Sequence, residues 1–169
     1  MSHLKVRPGV IVTGAGSGIG RATSLALARE GFDLALASRT RDLLTRTAKE
    51  VEAACPDSPG THVIPTDVSD PIAIAALVAG ARDRFHRLVA LVNVAGHASL
   101  APIDEITPDA WRRTVDTNLT SVVMTTAAVW PLFRNQGGGI VVNVSSMASL
   151  DPFPHFSMYA AAKAGVNMF

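Results

Sequence analysis

The sequence predicts an α/β fold built on a doubly wound parallel sheet. Short apolar runs alternate with amphipathic segments along the whole chain, and inside the runs the apolar character is nearly continuous, as in Leu34-Ala35-Leu36-Ala37 and Leu88-Val89-Ala90-Leu91-Val92. A glycine cluster also sits between the first run and the first helical segment. Strands are expected near 9–13, 33–38, 62–65, 88–93 and 139–145, and helices near 18–30, 41–54, 70–85, 108–133 and from about 157 onward. Right-handed crossovers and a switch point beside the first strand give the strand order 3-2-1-4-5. With 169 residues, 48% of them hydrophobic and 17% charged, the chain suits one compact domain spanning 1–169 around a substantial core.

Composition narrows the partners. The formal net charge is +1 and the basic residues are dispersed, which argues against nucleic acid or an acidic membrane surface. No apolar run reaches the length of a membrane span. Met1-Ser2-His3-Leu4-Lys5 leads into the first strand without the apolar region of a signal peptide. The single cysteine, Cys55, leaves no internal disulfide. A cytoplasmic protein without a metal site is the expectation.

The first strand, Val10-Ile11-Val12, runs into Thr13-Gly14-Ala15-Gly16-Ser17-Gly18-Ile19-Gly20. The helix that follows is expected to carry Ile19, Ala22, Leu25 and Ala26 on one face and to end at Glu30-Gly31. Glycines allow a tight turn and let an anion approach backbone N–H groups, and a helix N-terminus beside them favours a pyrophosphate. Gly14, Gly16, Ser17, Gly18, Ile19 and Gly20 are therefore candidate cofactor contacts. No Lys-Ser/Thr pair closes the loop, so it is not the phosphate-gripping loop of nucleotide hydrolases. The spacing also departs from the ordinary G-x-G-x-x-G pattern, because Ile19 and Arg21 stand where its third glycine would be.

The second strand ends in Ser38-Arg39-Thr40-Arg41. A carboxylate there would hydrogen-bond the ribose hydroxyls of NAD, whereas a guanidinium pairs with a 2′-phosphate. Ser38 and Arg39 thus favour NADP(H) over NAD(H). Asp67 and Val68 follow the third strand, where an adenine would pass; Asp70-Pro71 already supplies the cap of the next helix, which leaves Asp67 for a ligand. After the fourth strand come Asn93-Val94-Ala95-Gly96, where small residues let the backbone run beside a cofactor and Asn93 can tie neighbouring strands. His97 receives no role. The long helix from Pro108 is expected to turn Trp111, Val115, Leu119, Val122 and Val123 to the core. Asn118, among them, is open to two readings, a core amide or a site amide.

Gly137-Gly138-Gly139 is read as the turn into the fifth strand, which delivers Ser145-Ser146 to its carboxyl end. Tyr159 and Lys163 then share one helical face a turn apart. A phenol is a poor acid–base group at neutral pH, and a neighbouring ammonium favours its ionised form.

With these residues in place, the chain resembles the classical type of short-chain dehydrogenase/reductases over nearly its whole length. Thr-Gly-x-x-x-Gly-x-Gly at 13–20, Asp67, Asn-x-Ala-Gly at 93–96, Asn118, Ser146, Tyr159 and Lys163 carry the resemblance. It implies a Rossmann fold and an NADP(H)-dependent oxidoreductase that interconverts a carbonyl and a secondary alcohol. Tyr159 would be the general acid or base, Ser146 the hydroxyl on the substrate oxygen, and Lys163 the group that holds the nicotinamide ribose. Asn118 would place a water beside Lys163, and Arg39 matches the basic position of NADP-preferring members. Val94 stands where the family usually has a second asparagine, a change expected to be tolerated. The family also continues past the position of Phe169 with further strands, so the chain reads as part of a longer enzyme whose fifth strand would otherwise be an exposed edge. A homo-oligomer is implied for the full-length form. The segment Met147–Met158 would border the substrate; Phe153, Phe156 and Met158 suit a partly hydrophobic carbonyl or alcohol or, equally, packing beneath the loop or into a partner subunit. A dinucleotide-binding module without catalysis is the competing reading.

Overall fold

The computed structural model describes residues 7–55 and 60–169. The N-terminal run Met1–Lys5 lies outside the described residues. Five parallel strands, β1 (Gly9–Thr13), β2 (Asp33–Ser38), β3 (Thr61–Pro65), β4 (Leu88–Asn93) and β5 (Ile140–Asn143), form one sheet in the order β3-β2-β1-β4-β5. Helices α1 (Gly18–Arg29), α2 (Arg41–Ala54), α3 (Pro71–Arg84), α4 (Pro108–Val115), α5 (Ser121–Asn135) and α6 (Ser157–Met168) connect or follow them. The order and the flanking helices are those expected of a doubly wound sheet.

Strand alternation divides the apolar side chains between two layers. Ile11, Ala35, Ala37 and Leu91 pack with Leu77 and Ala81 of α3 and with Val129 and Phe133 of α5. Val10, Val12, Leu34 and Leu36 pack on the other face with Leu44 and Val51 of α2 and Ala28 of α1. Both faces of the central strands are covered, which is why these strands are apolar throughout rather than alternating. β5 is the outer strand among the described residues, with Ile140 63% and Val142 46% exposed.

Three expectations about helices need correction. On α1 the buried residues are Gly20, Ser24 and Ala28, while Ile19 is 61% exposed and Ala22 and Ala26 also face outward. The helix must come close to the loop that precedes it, and a Cβ on Gly20 would lie 2.2 Å from the Gly14 carbonyl oxygen. Spacing of small residues, rather than of large apolar ones, marks the inner face here. Trp111 is likewise 44% exposed, and the buried face of the long helical region is Thr114, Asn118, Ser121, Val122, Thr125, Val129 and Phe133.

That region is also not one continuous helix. A π-helical turn, Asp116–Thr120, separates α4 from α5. Wider i→i+5 pairing of this kind inserts an extra residue and commonly marks a functional position. The fifth strand is shorter than expected, Ile140–Asn143 rather than 139–145, although Val144 N–H still bonds the Asn93 carbonyl at 2.9 Å.

Replacing Gly20 by Ala should force α1 off its loop. The expected loss is about 1–3 kcal/mol of stability, the usual cost of overpacking, read from the midpoint of urea unfolding.

Candidate active site

The carboxyl ends of the strands converge on one edge, and a cavity of about 560 Å³ opens there. Gly14, Gly16 and Ser17 line it from the β1–α1 loop, Ser38 and Arg39 from the end of β2, and Asp67 and Val68 from the segment after β3. Ala95, Gly96 and His97 close it after β4, and Arg113, Asp116 and Thr117 contribute from α4 and the π-helical turn. Most residues expected to contact a cofactor therefore meet in one cleft. Gly18 and Ile19, on the first turn of α1, are exposed, while Gly20 is buried against Gly14.

Ser38 Oγ is buried and has no hydrogen-bond partner among the described residues. Leaving a buried hydroxyl unsatisfied costs about 1–3 kcal/mol, so a polar ligand atom is the natural complement. Arg39 lines the same cleft. Asp67 Oδ1 accepts from Ser69 N–H at 2.9 Å and from Ser69 Oγ at 2.7 Å. These bonds, followed by the nearby charge of Arg39, hold its carboxyl below the usual aspartate value. Asp70 caps α3 by accepting from Ile72 N–H at 2.9 Å, as expected. Asp67 thus builds its own turn while lining the cleft.

Thr13, a residue without a separate role in the sequence reading, organises the loop after β4. Its Oγ1 accepts from Val94 N–H and Ala95 N–H, each at 3.1 Å. Asn93 ties strands together as expected: Nδ2 donates to Asn143 Oδ1 at 3.0 Å, and Oδ1 accepts from Thr125 Oγ1 at 2.8 Å.

Asn118 lies on the π-helical turn and is fully buried. Its Nδ2 donates to the carbonyls of His97 at 2.7 Å and Thr114 at 2.9 Å, and its Oδ1 accepts from His97 N–H at 3.1 Å. The side chain staples the loop after β4 to the helix, which is the core-amide arrangement of the two readings left open by the sequence. A Cβ on Gly96 would sit 2.8 Å from Asn118 Oδ1 and 3.6 Å from Lys163 Nζ, which shows how closely these groups gather.

Tyr159 and Lys163 occupy successive turns of α6. The Lys163 amine is 5.8 Å from the Tyr159 ring centroid and donates to the Val144 carbonyl at 2.8 Å. Lys163 is only 3% exposed, and burial lowers its pKa from the ordinary lysine value of 10.5. Ser146 Oγ accepts from Ala148 N–H at 3.2 Å, capping a single 3₁₀ turn (Met147–Ser149). Phe156 packs edge-on to Tyr159 and tilted to Phe153, with centroids 6.1 and 5.8 Å apart. Phe153 is exposed, whereas Met158 is buried and packs beneath the loop. Among the described residues no cluster of three or more His, Cys, Asp or Glu side chains could hold a metal ion. No described helix is long and apolar enough to cross a membrane.

Known proteins resemble this chain in sequence and fold. The family model for short chain dehydrogenases matches residues 9–169. A sulfoacetaldehyde reductase of Chromohalobacter salexigens is 37% identical over 95% of the chain, and an uncharacterized oxidoreductase of Staphylococcus haemolyticus is 35% identical over 94%. The chain spans 62% and 66% of those relatives' own lengths, respectively. A short chain dehydrogenase/reductase from Burkholderia phymatum, solved with NAD, superposes over 96% of this chain and 57% of its own, with TM-score 0.90 and 29% identity. An actinorhodin polyketide ketoreductase solved with NADPH superposes over 95% of this chain and 61% of its own, with TM-score 0.88 and 31% identity. The chain belongs to the short-chain dehydrogenase family of oxidoreductases, whose members bind NAD or NADP.

The depressed pKa of Lys163 has a consequence for stability. Between its folded-state pKa and 10.5 the unfolded chain binds more protons than the folded one, so stability rises with pH across that window. Lys163→Met should flatten this rise relative to the parent protein, as measured by urea unfolding at pH values from about 7 to about 10.

Proposed function

We propose that the protein interconverts a carbonyl compound and its secondary alcohol, using NADP(H) in preference to NAD(H). The buried Lys163 amine beside the Tyr159 ring, against the carboxyl end of β5, is the observation that carries this reading. A bound nicotinamide dinucleotide would supply the hydride or take it up.

The chain's own residues do the rest. Tyr159 gives its hydroxyl proton to the carbonyl oxygen during reduction and recovers it during oxidation. Ser146 Oγ already accepts from Ala148 N–H, so its own O–H is left to donate to the substrate oxygen and to steady charge developing there. Lys163 keeps a positive group beneath the site and would hold a ribose hydroxyl of the bound cofactor. Asn118, by stapling His97, keeps Gly96 pressed near Lys163, where the loop can flank the ring.

Gly14, Gly16, Ser17, Gly18, Ile19 and Gly20 would cradle the pyrophosphate. Val68 and Asp67 would border the adenine, and Asn93, Ala95 and Gly96 the central part of the dinucleotide. Preference for the phosphorylated cofactor rests on the Ser38 hydroxyl, without a partner among the described residues, in the same cleft as Arg39. Its structural neighbours were solved with each of the two cofactors, so this local chemistry, rather than the likeness, supports the choice. The name of the sulfoacetaldehyde reductase agrees with carbonyl reduction. Phe153 and Phe156 beside Tyr159 suit a substrate with an apolar body.

Tyr159→Phe should lower kcat by roughly 100-fold or more while leaving dinucleotide affinity within about 3-fold; retained turnover would remove Tyr159 from the proton transfer. Arg39→Asp should weaken NADPH binding by roughly 100-fold in a fluorescence titration and NADH binding by less than about 3-fold. Equal losses would mean that Arg39 does not read a phosphate.

A further inference from the structure

Three polar residues at the junction of β5 and α6 have no part in the mechanism above: Ser145, Ser149 and Asn167. Ser146 stands beyond the end of β5, in an irregular stretch, whereas Tyr159 and Lys163 ride on α6. The loop between them is exposed over Leu150–His155. Covalent connection alone therefore does little to hold Ser146 at a fixed distance from Tyr159. The hydrogen bonds across the junction do.

Ser149 N–H bonds the Ser146 carbonyl at 3.0 Å, and Ser149 Oγ donates to the same carbonyl. Asn167 Nδ2, on the last turn of α6, donates to Ser149 Oγ at 2.7 Å. Ser145 Oγ donates to the Lys163 carbonyl at 3.2 Å, binding the other flank of the turn to the same helix. A hydroxyl has a single proton. Once the Asn167 amide fills a lone pair of Ser149 Oγ, that proton is committed to the Ser146 carbonyl. Asn167 thereby sets the direction of the whole chain of bonds. It also stands at the third place of the series Tyr159, Lys163, Asn167, spaced four residues apart along one face of α6. The face that bears the proposed acid and the ammonium therefore also grips the turn that bears Ser146.

We propose that Asn167, acting through Ser149, is a positioning residue that holds the Ser146 hydroxyl in register with Tyr159. The proposal rests on the reading of Ser146 as the hydroxyl that binds the substrate oxygen.

The sharpest variant is Asn167→Asp, which keeps size and replaces the donor with an acceptor. The Ser149 proton is then drawn to the carboxylate and released from the Ser146 carbonyl. Asn167→Asp and Ser149→Ala should each lower kcat roughly 10-fold, with KM and affinity for the dinucleotide unchanged, while Ser149→Thr, which keeps the hydroxyl, should stay near the parent value. In a Ser146→Ala background the Asn167→Asp loss should vanish, because the group being positioned is gone. Independently of turnover, the Ala148 and Ser149 amides should exchange hydrogen roughly 10-fold faster in Asn167→Asp, with β1–β4 amides unchanged. Unaltered exchange, or a loss that adds in full to that of Ser146→Ala, would overturn the positioning role alone. Ser146→Ala with parent turnover would overturn the role of Ser146 and this inference with it.

Discussion

A line of buried polar groups along the carboxyl edge of the sheet is the constraint on which the site depends. Backbone carbonyls and amides that leave a parallel sheet have no further strand residue to pair with, and inside a protein each must find another partner. Here side chains supply them: Thr13 Oγ1 takes the amides of Val94 and Ala95, and Asn93 joins the ends of β4 and β5 through Asn143 and reaches α5 through Thr125. Because every one of these groups is satisfied locally, the loop after β4 is fixed where it crosses the cleft. The cavity wall is thus a product of sheet termination, not of a separate binding element.

The helices have adapted to that edge more than to the core. α1 turns Gly20, Ser24 and Ala28 inward so that its first turn can reach the loop, giving up the burial that Ile19 would have contributed. The π-helical turn at Asp116–Thr120 makes a similar exchange. It gives up regular α-helical pairing, and in return Asn118 points at His97 and satisfies both amide protons and its oxygen. A fully satisfied buried amide is inexpensive to keep, whereas a half-satisfied one would be costly, so this position tolerates little variation in its surroundings.

Charge is placed with the same economy of contact. Burial disfavours the protonated form of Lys163, yet the Val144 carbonyl accepts from it and the Tyr159 ring faces it. At the end of β2 Arg39 is exposed and helps hold the Asp67 carboxyl low, while the buried Ser38 hydroxyl has no partner among the described residues. The ammonium beyond β5 is therefore dry and fixed, whereas the guanidinium beyond β2 is surrounded by solvent.

Local order in the sequence determined the five strands, the helices that alternate with them, the strand order and the residues gathered at the carboxyl edge. Apolar period, glycine placement and the Tyr159–Lys163 spacing act between near neighbours in the chain, so they are legible without coordinates. The inner faces of α1 and α4 were not, because large apolar residues were expected inward where close approach to a loop selects small or hydroxyl-bearing ones. Nor was the π-helical turn, since its cause is a hydrogen-bonding partner, His97, that lies 21 residues away in sequence. The double duty of Asp67, the burial of Lys163 on Val144 and the clamp from Asn167 to Ser149 likewise arise only when distant segments meet. Tertiary structure decided them, because a side chain's hydrogen-bond partner is set by what the fold brings beside it.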